Sequence, residues 1–199
     1  RVASDPLLAV IAAMSRPGRR SSEYDLNPDL ALPKPRMLRA AGVLVPFLDG
    51  PDAVRVILTK RASQLQHHPG QIAFPGGKVD PGDTDATAAA LREAHEEIGL
   101  DPANVGVLGT LPPHETVTGF LVTPVLGRVR SAFAPVPEAG EVDEVFSVPL
   151  AHLTDTANFR VEQRLWRGQL RRYYAVPYGP YYIWGATARI LRALADRMA

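Results

Sequence analysis

Glu93, Glu96 and Glu97 stand at i, i+3 and i+4 within GGKVDPGDTDATAAALREAHEEIGL, residues 76 to 100. At about 3.6 residues per turn they share an arc of roughly 100° on one helix face. Three like charges so placed repel one another, by ~0.2–0.5 kcal/mol per like pair on a solvated helix. A hard divalent cation such as Mg²⁺ or Mn²⁺ between them would relieve that repulsion and could hold phosphate oxygens. Clustered glutamates are more often a plain solvated face. Their surroundings argue otherwise: Arg92 precedes the first, Ile98-Gly99-Leu100 closes the helix with a glycine, and Gly76-Gly77 lies one loop upstream.

The elements that must position these carboxylates can be read from pattern. Residues 84 to 98 form the main helix, opened by Asp or Thr caps and filled with alanines that permit close packing on a sheet. Residues 37 to 48 and 53 to 60 are aliphatic, β-branched runs around the turn signal Asp49-Gly50-Pro51-Asp52, which predicts a hairpin. Further strands are expected at 104 to 111, 120 to 130 and 142 to 148, and a C-terminal helix at 182 to 198 with apolar Ile190, Leu191 and Leu194. Residues 6 to 14 predict a short amphipathic helix packed on the domain, and 15 to 35 an extended arm. The expected division is therefore 1–36 as helix and arm and 37–199 as one domain.

Composition excludes several classes. With 22 basic and 21 acidic residues in 199, nothing suggests a footprint for long nucleic acid or an anionic membrane, so phosphate recognition must be local. No run approaches the roughly 20 apolar residues that span a bilayer. There is no cysteine, which removes disulfides, thiolate metal sites and a cysteine nucleophile, and fits a reducing, cytoplasmic location.

The segment resembles the Nudix box, G-x5-E-x7-R-E-U-x-E-E-x-G-U with U aliphatic, the signature of Nudix hydrolases. Arg92, Glu93, Glu96, Glu97, Gly99 and Leu100 are in register, with Ala94 where a larger aliphatic residue is usual. Counting forward from Gly77 puts Asp83 in the first glutamate slot, whereas counting back from Arg92 lands on Thr84, so the loop is one residue longer. A longer loop is expected in the coenzyme A pyrophosphatase branch. Upstream, Leu58-Thr59-Lys60-Arg61-Ala62, Gly70 and Phe74-Pro75-Gly76-Gly77 resemble that branch's signature L-T-x-R-[SA]-x3-R-x3-G-x3-F-P-G-G, with Gln66 in the slot of the second arginine. Isopentenyl diphosphate isomerase, a relative that relies on a cysteine, is excluded.

The resemblance implies an α/β (α+β) fold: an α/β/α sandwich around a mixed central sheet, with the Nudix loop-helix motif. It also implies a metal-dependent pyrophosphohydrolase that uses Mg²⁺ or Mn²⁺ to cleave coenzyme A or its acyl derivatives to 3′,5′-ADP and 4′-phosphopantetheine or its acylated form. The alternatives are a Nudix hydrolase of ADP-ribose, NADH or an oxidised nucleoside triphosphate, and a catalytically silent nucleotide-binding module. Glu93 and Glu97 are the expected direct metal ligands, with Glu96 a third ligand or a base for the attacking water, and Gly77 or Gly76 a carbonyl ligand. Arg92 is expected to orient a glutamate or close the loop, and Glu141 is favoured over Asp143 and Glu144 as general base. Lys78 could contact phosphate, Lys60 and Arg61 the 3′-phosphate of coenzyme A, and His67 or His68 phosphate or nucleobase. His114 and Glu115 could line the substrate entrance. Pairing is common in the family, so a homodimer is expected.

Overall fold

The computed structural model describes residues 4–30 and 36–199. Alternating apolar residues build a mixed sheet whose two faces are both covered. In chain order the elements are α1 (Leu8–Met14), β1 (Ser21–Ser22), β2 (Arg39–Asp49), β3 (Val54–Arg61), β4 (Ile72–Ala73), β5 (Gly76–Lys78) and α2 (Ala86–Ile98). There follow β6 (Val105–Thr110), β7 (His114–Glu115), β8 (Phe120–Val129), β9 (Val142–Pro149), α3 (Leu150–Thr154), β10 (Arg160–Trp166), β11 (Gln169–Ala175) and α4 (Gly185–Met198).

β2 is the axis of the sheet. It pairs in parallel with β8 over ten residue pairs, from Arg39↔Phe120 to Leu48↔Val129, and antiparallel with β3 and β5. β9 adds to the far side of β3, and β6 to β8. The expected hairpin at residues 37–60 and the three later strands are all present.

The strand period of two sends neighbours to opposite faces. Leu44 and Ile57 pack beneath α2 with Ala90, Ala94 and Ile98. Val45, Phe47, Val56 and Leu58 enter a second core with α1, α3 and α4 residues, among them Val10, Leu153, Ile190, Leu191 and Leu194. The result is the α/β/α sandwich the resemblance implies. Ala90 and Ala94 are fully or nearly fully buried between helix and sheet. A leucine at either would overpack this seam, costing about 1–3 kcal/mol.

The boundaries differ from expectation for local reasons. α2 starts at Ala86 because Asp85 is its extended N-cap, accepting the Ala88 N–H at 2.8 Å. α4 starts at Gly185, three residues late, because the Ile183 carbonyl accepts from Val176 N–H and Trp184 bridges to Ala175. The arm contains β1, which pairs in parallel with β7. Residues 31–35 of the expected arm lie outside the described residues. The short strands β1, β4, β5 and β7, helix α3 and the β10–β11 hairpin were not expected, and the hairpin shapes the site.

Candidate active site

Helix α2 lies on one face of the sheet, and a large cavity opens on the other. The two communicate across β5. At Gly77 the backbone passes so close to Glu93 that an added Cβ would sit 2.6 Å from its Oε1, so any larger residue there would displace the Glu93 carboxyl group. At Gly76 the backbone N–H lies close enough to the Glu97 carboxyl group to favour its charged form. Both glycines also line the cavity, so the carboxyls of Glu93 and Glu97 are separated from it only by backbone.

These two carboxyl groups lie close enough to act on each other. Burial, and then the neighbouring Glu93, push the Glu97 pKa up to about 8. Glu93 is also raised, chiefly by burial, although Arg92 opposes the shift. Two desolvated acids side by side, flanked by backbone groups of a glycine strand, are a donor set suited to a hard divalent cation. Glu96 does not join them. Its side chain is 52% exposed and faces Arg92 at 3.4 Å, and among the described residues no group of three acidic or histidine side chains converges. The residues that would hold a metal are therefore Glu93 and Glu97 with a carbonyl of Gly76 or Gly77.

Arg92 clasps the loop. Its Nε and Nη2 donate to the two oxygens of Asp83 at 3.0 and 2.9 Å, and Nη1 reaches Glu93 at 3.1 Å. Nη2 also lies 3.3 Å from Asp80 and 3.4 Å from the Lys78 carbonyl. Asp83, whose side chain is 6% exposed, accepts the Asp80 N–H as well. Arg92 holds its carboxyl below the usual range. Asp83 thus occupies the first acidic slot as the partner of Arg92, and the bidentate fork ties the start of the loop to the catalytic face of α2.

The large cavity, about 560 Å³, is floored by β2 and β8, with Arg61, His68, Lys78 and the first turn of α4 in its wall. Beside it a cavity of about 20 Å³ is bounded by Arg61, Gly76, Glu97 and Glu141, room for about one water. Arg61 borders both. Its Nη2 donates to the His67 carbonyl, while its buried Nε–H has no partner, which suits an incoming oxyanion. Glu141 is thereby brought near Glu97. Asp143 is engaged with the Ser63 N–H, and Glu144 accepts from the Tyr181 hydroxyl.

Other expected contacts are placed elsewhere. Lys60 is exposed, and neither it nor Gln66 or His67 lines the cavity. His114 is fully buried in β7, its Nδ1 2.8 Å from Ser21 Oγ, and Glu115 pairs with Arg20. His68 does reach the cavity, with its pKa lowered by burial and then by Arg61.

Sequence reasoning missed an entire wall: Arg164, Trp166, Arg171 and Tyr173 of the β10–β11 hairpin, Trp184, and Glu23 of the arm. A signal existed. Arg167 and Gly168, with φ of 49° and 77°, are a two-residue left-handed turn between strands in register from Trp166↔Gln169 to Arg160↔Ala175. Arginine at the first turn position hides the usual Asn-Gly or Gly-Gly cue.

A NUDIX domain model matches residues 38–167. Among similar proteins, the uncharacterized Nudix hydrolase NudL of Enterobacter sp. (strain 638) is 43% identical over 157 residues, 79% of this chain and 81% of that protein. NudL of Cronobacter sakazakii is 44% identical with the same shares. Among solved structures, the Nudix hydrolase RenU from M. smegmatis aligns with a TM-score of 0.50 at 27% identity, covering 59% of this chain and 74% of its own. A MutT/nudix family protein from Enterococcus faecalis aligns at 0.51 and 18% identity, covering 85% and 65%, and shares the fold. The chain belongs to the Nudix hydrolases, enzymes that cleave diphosphate bonds in small nucleotide derivatives with a divalent metal ion. Among the described residues no helix is long and apolar enough to cross a membrane.

Proposed function

We propose that this enzyme cleaves the diphosphate of coenzyme A or its acyl derivatives, giving 3′,5′-ADP and 4′-phosphopantetheine or its acylated form. The observation that carries this reading is the junction at Gly76-Gly77. There the LTKRA to FPGG segment, which resembles the coenzyme A branch, brings Arg61 beside the Glu93–Glu97 pair at the edge of a nucleotide-sized cavity.

A bound Mg²⁺ or Mn²⁺ would neutralise charge on the diphosphate and make water a better nucleophile. Glu93 and Glu97 would hold that cation, and Gly76 and Gly77 leave room for the diphosphate to approach them. Arg61 presents its unpartnered Nε–H to a phosphate oxygen, where its fixed charge gains strength as the leaving oxygen becomes negative. Glu141, across the water-sized cavity from Glu97, accepts the proton of the attacking water. Lys78 supplies a further cation to the diphosphate. Arg92 acts through Asp83 and Glu93 as a positioning residue, fixing the loop that carries Gly77. Glu96, outside the carboxyl pair, remains the alternative base.

The test is product analysis for coenzyme A, acetyl-coenzyme A, ADP-ribose, NADH and nucleoside triphosphates, with Mg²⁺, with Mn²⁺ and after chelation. Metal-dependent appearance of 3′,5′-ADP from coenzyme A is expected. Turnover confined to ADP-ribose, NADH or the triphosphates would assign the enzyme to another branch.

A further inference from the structure

Two arginines of the hairpin are unusual in their placement. Arg164 and Arg171 are direct cross-strand partners, and both face the large cavity. Like charges opposite one another weaken a hairpin. Neither guanidinium forms a salt bridge or donates a side-chain hydrogen bond among the described residues. Each is instead backed by aromatic surface. Arg164 sits 4.5 Å over the Trp184 ring, and Arg171 lies 4.7 Å from Trp166 and 5.7 Å from Tyr24. These cation–π contacts support the two guanidiniums and leave their N–H groups without a protein partner, an arrangement suited to a phosphate monoester.

The pair stands apart from the Glu93–Glu97 end of the cavity but is electrostatically continuous with it. Arg61 acts on both Glu97 and His68, and Arg164 also acts on His68. A ligand with its diphosphate at Arg61 can therefore extend a second phosphate towards the hairpin. One acid faces the pair. Glu23 of the arm is held by the Val117 N–H and feels the charge of Arg171 and Arg164, and burial raises its pKa. Asn27 ties the arm to the hairpin, donating to the Arg172 carbonyl at 3.0 Å and accepting its N–H at 2.7 Å.

We infer that Arg164 and Arg171 form a second, non-catalytic phosphate site that binds the 3′-phosphomonoester of the nucleotide, with Glu23 setting its strength. This rests on the coenzyme A reading for the identity of the ester. It moves recognition of that phosphate from Lys60 and Arg61 to a hairpin and arm that no motif marks. Two charge-assisted contacts to a dianion at this partly exposed, solvent-screened site correspond to roughly 30-fold in affinity.

The experiment is calorimetric titration of the full chain, without metal, by 3′,5′-ADP, 2′,5′-ADP and 5′-AMP. Wild type should bind 3′,5′-ADP about 30-fold more tightly than 5′-AMP. Arg171→Ala and Arg164→Ala should each remove most of that difference while leaving 5′-AMP binding unchanged. Glu23→Gln, which keeps an acceptor for the Val117 N–H, should tighten 3′,5′-ADP about threefold, a gain that misfolding cannot mimic. Equal binding of 3′,5′-ADP and 5′-AMP by wild type, or a preference that survives both arginine variants, overturns the inference. Tighter binding of 2′,5′-ADP assigns the site to that ester and overturns the 3′ assignment. A failure of the coenzyme A reading appears separately, as absence of 3′,5′-ADP among turnover products while this titration still finds the phosphate preference.

Discussion

The loop-helix unit and the hairpin wall solve opposite electrostatic problems with opposite means. In residues 76–100, two half-buried carboxyl groups crowd each other at a glycine strand, and one arginine, Arg92, ties the loop together through several acids. At the hairpin two arginines crowd each other, backed by aromatic rings and near Glu23 in the cavity wall. The first calls for a cation and the second for an anion, and a nucleotide diphosphate bound through a metal brings both. The first unit is also contiguous in sequence, whereas the second gathers residues 23–27, 164–173 and 184. Local sequence encodes the bond-breaking end, and tertiary assembly encodes the recognition end.

This contrast breaks most sharply at Glu97. Glu97→Gln should lower kcat at least about 1,000-fold, equivalent to ~4 kcal/mol of transition-state stabilisation, with the circular dichroism spectrum and 3′,5′-ADP affinity unchanged. Steady-state kinetics with saturating Mg²⁺ checks this, and retained turnover would remove Glu97 from the metal site. Arg92→Ala comes next, with an expected 10- to 100-fold loss of kcat, because its partners Asp83 and Glu93 lose their fixed geometry. Arg92→Lys should restore little, since an ammonium cannot span both Asp83 oxygens. At the hairpin, Trp166→Ala should act on KM, raising it about tenfold for coenzyme A with kcat nearly constant, because Arg171 loses its backing.

The smallest expected effect on turnover at neutral pH comes from His114, which joins the arm to the sheet. Ser21 bonds its Nδ1, while Arg189 and Asp25 are the charges acting on it. Burial, then Arg189, lowers its pKa to about 4 from an ordinary 6.5. Between those values the unfolded chain binds the proton and the folded chain does not, so stability falls as pH drops from 6.5 to 4. The full loss is about 3 kcal/mol. Thermal melts across this range should show it, and His114→Gln should flatten the profile. An unchanged slope in that variant would place the titrating group elsewhere.

The catalytic unit was legible because its determinants are local. Glutamates at helical spacing, a capping Asp85 and paired glycines declare one another within 25 residues. The orientation of Glu96 was not, although Glu93 and Glu97 were already expected as the pair: its side chain turns to Arg92, away from the carboxyl groups that β5 passes. Nor was the partnership of Asp83 with Arg92, although the extra loop residue pointed to an altered first slot. The hairpin escaped because Arg167 masks its turn and its exposed strands lack a clean apolar alternation, with Val161, Leu165 and Leu170 all facing solvent. Lys60 looked equivalent to Arg61 in sequence. β3 is irregular between them, where its register with β9 shifts, and only Arg61 borders the cavity.

The division of labour between the two regions is tested most directly by the ratio of kcat/KM for coenzyme A to that for dephospho-coenzyme A. It should be measured in wild type and in the Arg164→Ala/Arg171→Ala double variant. The expected ratio is about 30 in wild type and near one in the double variant, with turnover of dephospho-coenzyme A intact. A ratio that stays at its wild-type value, or a double variant that loses both substrates equally, would contradict it.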